Sequence, residues 1–183
     1  MFLGPPGAGK GTQAERLRTE LDLAHLATGD LLRAAVADGT ELGTEAKRYM
    51  DAGELVPDEV VVGMIRERLA AGASDAFLLD GFPRSVPQAE ALDAMLAELN
   101  APLDAVIALE VGRDELIKRM LGRGRADDTL ETVENRLRVY EDQTKPLFGY
   151  YDARGLLRTV QGQGTVDEVY GVIKAAVPAQ AGQ

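Results

Sequence analysis

Gly4-Pro5-Pro6-Gly7-Ala8-Gly9-Lys10-Gly11-Thr12 is the stretch whose reading decides the fold. Small glycines let consecutive backbone N–H groups converge on an anion, and a helix starting near Lys10 turns its positive dipole end to the same point. The Lys10 ammonium adds a full charge able to reach the outer phosphates of a nucleotide. Gly4, the residues after it and Gly9-Lys10 match the first seven positions of the P-loop pattern. Its eighth position is Gly11 where Ser or Thr is usual, and the hydroxyl arrives one residue later at Thr12. Apolar Phe2-Leu3 before the loop and helix-compatible Thr12 to Leu17 after it place the loop at a strand-to-helix junction. That context favours a phosphate cradle over a Gly/Pro turn that merely caps a helix.

The 183 residues, 45% of them hydrophobic, suffice for one domain with a real core. The chain has no Cys, which rules out disulfides, thiolate zinc sites and Cys nucleophiles and fits a reducing cytoplasm. Its one histidine, His25, lies in the apolar run Leu23 to Ala27 and reads as a satisfied strand histidine. No apolar run has the length of a membrane span and no signal-like segment opens the chain, so the expectation is a cytoplasmic protein without a membrane partner. A net charge of −10 repels nucleic acid at long range, so an anionic ligand must be drawn in locally. Only Met1-Phe2-Leu3 precede the loop, which implies either a short first strand or a natural chain that begins earlier.

Strand-like runs at Met1 to Leu3, Leu23 to Ala27, Ala76 to Leu79, Ala105 to Leu109 and Leu156 to Val160 alternate with helical segments. This predicts a doubly wound α/β P-loop domain, a five-stranded parallel sheet between helices. Val166, Val169, Tyr170, Ile173 and Val177 recur at helical spacing and read as the core stripe of a C-terminal helix. The longer excursion from Gly29 to Gly72 is broken by Gly39, Gly43, Gly53 and Val56-Pro57-Asp58. It predicts a helix from Gly29, a second near Thr44 to Ala52 and a third after Pro57, with Asp58 an N-cap or first-turn acid. The tail from Pro178 reads as frayed.

Two further clusters carry chemistry. Leu78-Leu79-Asp80-Gly81-Phe82-Pro83-Arg84 ends an apolar strand in an acid, a turn and an Arg. This places Asp80 beside the loop, where it would hold the hydration shell of Mg2+ on a nucleotide; Phe82 reads as packing. Lys118, Arg119, Arg123 and Arg125 fall in an acid-free stretch of an acidic chain, as an anionic ligand requires, and guanidinium planes suit charge spread over phosphoryl oxygens. Gly122 and Gly124 suggest a hinge. Arg136 lies on a helix starting about Thr129, and Asp127 and Asp128 are placed to pair with the arginines of an empty site.

Four segments in order resemble the adenylate kinase family of nucleoside monophosphate kinases, over essentially the whole chain. They are Gly4 to Gln13, Ala27-Thr28-Gly29-Asp30-Leu31-Leu32-Arg33, Asp80 to Arg84 with Gln88, and Arg125-Ala126-Asp127-Asp128 followed by Asn135-Arg136-Leu137. Gly11 followed by Thr12 is that family's own form of the loop. The resemblance implies reversible transfer of the γ-phosphoryl group of MgATP to AMP, giving two ADP, in adenine nucleotide homeostasis. By it, Gly7, Ala8, Gly9, Lys10, Gly11 and Thr12 hold the ATP phosphates, with Arg119 and Arg123 over ATP and Gly164 a backbone contact to its base. Thr28, Arg33, Glu54, Leu55, Val56, Gly81, Phe82, Pro83, Arg84 and Gln88 form the AMP site, joined by Arg125 and Arg136. Lys10, Arg84, Arg119, Arg123, Arg125 and Arg136 carry the transfer, and Asp80 holds Mg2+ through water.

The resemblance further implies a monophosphate-binding insert at residues 27–56 and a short lid at 122–128. Only Gly124 separates Arg123 from Arg125, where long-lid relatives insert a segment that can carry zinc, so no zinc is expected. A monomer is expected. UMP/CMP kinases share the short lid, but Thr28 favours AMP, since relatives that prefer pyrimidines tend to carry Ala there. A P-loop regulatory switch is the reading from another class. The chain has no Asn-Lys-x-Asp base-reading run, and a switch has no use for a second phosphate site at Arg33 and Arg84.

Overall fold

Met1 and Leu3 turn into one apolar layer and Phe2 into the other, and the same alternation sends Leu79, Val106 and Ala108 one way and Leu78, Ile107 and Leu109 the other. A strand buried on both faces needs helices on both, and it reads as a continuous apolar run. The computed structural model describes residues 1–71 and 76–178. Its strands are β1 (Phe2–Leu3), β2 (Ala24–Ala27), β3 (Phe77–Asp80), β4 (Val106–Glu110) and β5 (Leu157–Gln161). They form one parallel sheet in the order β2-β3-β1-β4-β5. Each lies within one residue of the run that predicts it.

The helices are α1 (Lys10–Leu21), α2 (Thr28–Ala37), α3 (Glu41–Ala52), α4 (Asp58–Ala70), α5 (Val86–Glu98), α6 (Arg113–Gly122), α7 (Leu130–Val139), α8 (Leu147–Asp152) and α9 (Val166–Ala176), with a π-helical turn at Tyr140–Thr144. One layer joins Ile65 and Leu69 of α4, Leu92 and Met95 of α5 and Leu147 and Tyr151 of α8. The opposite layer joins Ala14 and Leu17 of α1, Leu116 and Met120 of α6, Val133 and Leu137 of α7 and Val169, Tyr170 and Ile173 of α9. The C-terminal stripe is core as predicted, except that Val166 opens the helix 48% exposed. The predicted fraying beyond Pro178 lies outside the described residues. Among the described residues no helix is long and apolar enough to cross a membrane.

Chain order sets where a ligand goes. From β1 the chain moves to β2 and β3 on one side, then crosses to β4 and β5 on the other, so the connections diverge above the carboxyl end of β1. Open α/β sheets place their crevice at such a switch point. The Gly4–Gly9 loop leaves β1 there, and Asp80 ends the adjacent β3.

The excursion after β2 resolves into α2, α3 and α4. Thr40 caps α3 by accepting from the Gly43 N–H at 3.0 Å, and Asp58 is a first-turn acid of α4. A Cβ on Gly43 would lie 2.0 Å from the Ala35 carbonyl oxygen of α2. The obstacle is backbone, so the α2–α3 crossing itself must open. Gly43→Ala is expected to lower stability by about 1–3 kcal/mol, the usual cost of overpacking, read as a fall in the urea midpoint.

Candidate active site

Gly9 caps the start of α1, and its φ of 92° is a left-handed conformation that a side chain would strain. No side chain caps the helix and no acid stands in its first turn. The first amides of α1 therefore keep their hydrogen-bonding capacity for something outside the helix. Lys10 folds back over the loop, its Nζ donating to the carbonyls of Gly4 at 2.8 Å and Pro5 at 2.9 Å. Loss of hydration at the cleft floor pushes the Lys10 ammonium down to about 8; Asp80 opposes the fall, and the like charges of Arg84 and Arg123 add to it.

Asp80 faces this ammonium from the end of β3. Burial favours its neutral form, but the nearby His25 imidazole and the charges of Lys10 and Arg84 outweigh it and hold the carboxyl below its ordinary range. An ionised oxygen donor at this corner suits Mg2+, which takes hard oxygen ligands and retains waters. His25 corrects the reading of a satisfied strand histidine. It lines the cleft, its Nε2 stands 3.8 Å from Asp80 Oδ2, and that buried nitrogen has no hydrogen-bond partner. The apolar run predicts the strand correctly; period two then decides which face the ring takes, and that face opens on the site.

The arginines divide into two kinds. Arg123 grips Asp128 through Nε at 2.5 Å and Nη2 at 2.7 Å, while Arg136 bonds Asp128 at 2.7 Å and also pairs with Asp127. The Asp128 side chain is only 1% exposed. The acids pair with the neighbouring arginines, as the sequence placed them to do. Arg119 on α6 donates to Glu115 at 2.7 Å and to the Gly162 carbonyl at 3.1 Å, and Arg33 on α2 pairs with Asp30 at 2.5 Å. Arg84 and Arg125, by contrast, have no carboxylate within ion-pair distance among the described residues. Arg84 donates through Nε to the Gly81 carbonyl at 2.8 Å and presents the rest of its guanidinium to the cleft. Desolvation lowers its affinity for its proton; Asp80 opposes, and Arg136, Arg33 and Arg125 add to the fall. The same crowding, with desolvation first and then Arg123 and Arg33, lowers Arg125.

One cleft of about 860 Å³ is lined by these groups, a volume in the range of small-ligand sites. It gathers Gly7, Gly9, Lys10, Gly11, Thr12, Thr28, Arg33, Glu54, Leu55, Val56, Asp80, Gly81, Pro83, Arg84, Gln88, Arg119, Arg123, Arg125 and Arg136. Thr28 is 2% exposed and donates to the Gly81 carbonyl at 2.9 Å, tying α2 to the turn after β3. Gln88 is 2% exposed, accepts from the Arg84 N–H and donates to Asp58, both at 2.7 Å. Three site residues predicted from the sequence do not line the cleft. Phe82 is wholly buried in the α4–α5 layer and Ala8 in the opposite one. Gly164 sits before α9, facing the Glu168 side chain. Sequence reasoning missed Glu15, Met50, Tyr140 and Thr144, which also line the cleft. The two beyond residue 139 come from the π-helical turn, which no apolar periodicity announces.

A phosphate-cradling loop, an ionised carboxylate beside it and seven cations around one cleft define a P-loop nucleotide-binding protein of the phosphoryl-transfer class. The adenylate kinase family model matches residues 2–156. An adenylate kinase of Leptospira biflexa is 50% identical over 182 residues, covering 97% of this chain and 98% of the relative. One from a Synechococcus species is 54% identical with 97% of each chain covered, and one from Stenotrophomonas maltophilia 51% with 98% of each. The chain belongs to the adenylate kinase family. It is a nucleoside monophosphate kinase whose reaction is reversible transfer of the ATP γ-phosphoryl group to AMP.

The Lys10 shift has a sign that can be checked. Phosphates placed against Lys10 favour its charged form, so nucleotide binding raises a pKa that starts near 8. Binding then takes up a proton, and affinity for an ATP analogue is expected to fall as pH rises through 8. NMR titration of 13C-labelled lysine should show one resonance titrating near 8 that moves upward with nucleotide; a Lys10 titrating at the ordinary lysine value in the free enzyme contradicts this.

Proposed function

We propose that the cleft holds the two nucleotides with their phosphates end to end, and that Lys10, Arg84, Arg119, Arg123, Arg125 and Arg136 carry the transfer. The observation that carries this reading is Arg84, a guanidinium without a carboxylate partner among the described residues, facing a cleft that Lys10, Arg33, Arg125 and Arg136 also line. A cationic group crowded by like charges gains most from an anion that arrives between them.

In this assignment the α1 amides and Lys10 take the ATP phosphates, with Arg119 and Arg123 on the same nucleotide. Arg33 and Arg84 grip the AMP phosphate, and Arg125 and Arg136 close on the phosphoryl group between the two. Gln88 reads the adenine of AMP, having one N–H and one lone pair left after its protein bonds. The backbone at Glu54 to Val56 and the buried Thr28 complete that pocket. Asp80, with waters, would hold Mg2+, which neutralises phosphate oxygens when bound with the nucleotide. The residues' work is alignment and charge, because transfer between two phosphates requires no proton abstraction.

Residues 27–56 act as the monophosphate-binding insert and 122–128 as a lid that closes from Gly124, in a monomer working in the cytoplasm. The ion pairs of Arg123 and Arg136 with Asp127 and Asp128 support a lid that stands charged and ready, exchanging carboxylate oxygens for phosphate oxygens on closure.

A coupled assay of ADP formation, with AMP, UMP, CMP, GMP or no acceptor, tests the assignment. AMP alone should support strong turnover, and Thr28→Ala should narrow the gap between AMP and the pyrimidines. Arg84→Ala is expected to lose on the order of 10- to 1000-fold in turnover, as for single transition-state donors; full activity removes Arg84 from the mechanism.

A further inference from the structure

The main chain of Arg84 is held at both ends of the residue by buried side chains. Its N–H donates to Gln88 Oε1 and its carbonyl accepts from Thr144 Oγ1, both at 2.7 Å. Gln88 is fixed in turn by its bond to Asp58, which also accepts from Ser85 Oγ at 3.3 Å. Gln88 and Thr144 are 2% and 6% exposed, so water competes little for either bond. Among the described residues the Arg84 side chain adds its Nε bond to Gly81, so that bond and the peptide beneath it together set where the guanidinium starts.

Thr144 reaches this carbonyl from an unusual place. It closes the π-helical turn Tyr140–Thr144, where the Lys145 N–H bonds the Tyr140 carbonyl at 2.9 Å. Pro146 follows, has no N–H for the carbonyl four residues back, and crowds it with its ring. The widened turn accommodates that proline while the chain runs on from α7 into α8. It also rotates the side chains that follow relative to an unbroken helix, and π-turns inside helices are frequent at functional sites.

We propose that Thr144 is a positioning residue for Arg84, its hydroxyl fixing the peptide from which the arginine reaches the acceptor phosphate. This rests on the role assigned to Arg84 above. Loss of the hydroxyl leaves the Arg84 carbonyl without its partner and loosens the arginine at the acceptor side of the cleft, while the loop at Gly4 to Thr12 is untouched.

The test compares Thr144→Val, which keeps the shape and removes the hydroxyl, with Thr144→Ser, which keeps the hydroxyl. Thr144→Val is expected to raise the KM for AMP and the Kd for AMP alone by about 10-fold, the scale of one buried hydrogen bond. It should lower kcat and leave the KM for ATP within about twofold. Thr144→Ser should restore the AMP values. Combined with Arg84→Ala, Thr144→Val should add nothing further, since both act through one group. Wild-type AMP parameters in folded Thr144→Val, an equal loss for both nucleotides that Ser does not rescue, or effects that add in the double variant would each overturn the proposal. An Arg84→Ala enzyme with full activity would instead overturn the role of Arg84, so the two failures are distinguishable.

Discussion

Mutual repulsion of the cations in the cleft is the constraint on which the site depends. Seven lysine and arginine side chains line it with five carboxylates, in a chain whose net charge is −10. Two unit charges 4 Å apart interact by about 4 kcal/mol near a protein surface, so such a cluster opposes folding unless it is compensated. The lowered affinity of Lys10, Arg84 and Arg125 for their protons expresses desolvation first and that repulsion after it. Such a cluster favours a polyanionic ligand that brings negative charge between the cations.

The compensation already present is local. Asp80 serves the floor, facing Lys10 and His25, while Asp128 serves Arg123 and Arg136 with three hydrogen bonds from the two arginines. Burial penalises ionisation of Asp128, yet Arg123, Arg136 and Arg125 outweigh it and keep the carboxyl below its usual range. Breaking such a pair without replacement is costly, because it strands a buried charge. Exchange for phosphate oxygens avoids the stranding.

The strands and most helices were legible because each carries its own pattern. Strands buried on both faces read as apolar runs, and α9 shows its stripe at spacings of three and four. The loop was legible because a cradle for anions demands glycines and a lysine at fixed spacing. His25 was misread because an apolar run hides which face its one polar member takes. Thr144 was invisible for a different reason: its contact with Arg84 spans 60 residues and depends on a π-turn that no short-range period encodes. Ala8 and Phe82 fall within the quoted site motifs but bury their side chains, so a motif names a segment without saying which members face the ligand.

The cleft holds its arginines in two ways. A guanidinium held by carboxylates can be handed to a phosphate, because the new partner replaces the old in kind, and Arg123 and Arg136 are held so. A guanidinium that must wait in one place cannot depend on a partner its ligand would displace. Arg84 is instead anchored by neutral hydrogen bonds to its backbone and by a charge-assisted bond from Nε to a carbonyl. Neutral bonds to the main chain are also less weakened by salt than exposed ion pairs. The fixed part of the site is thus built from main-chain hydrogen bonds and its exchangeable part from charge pairs.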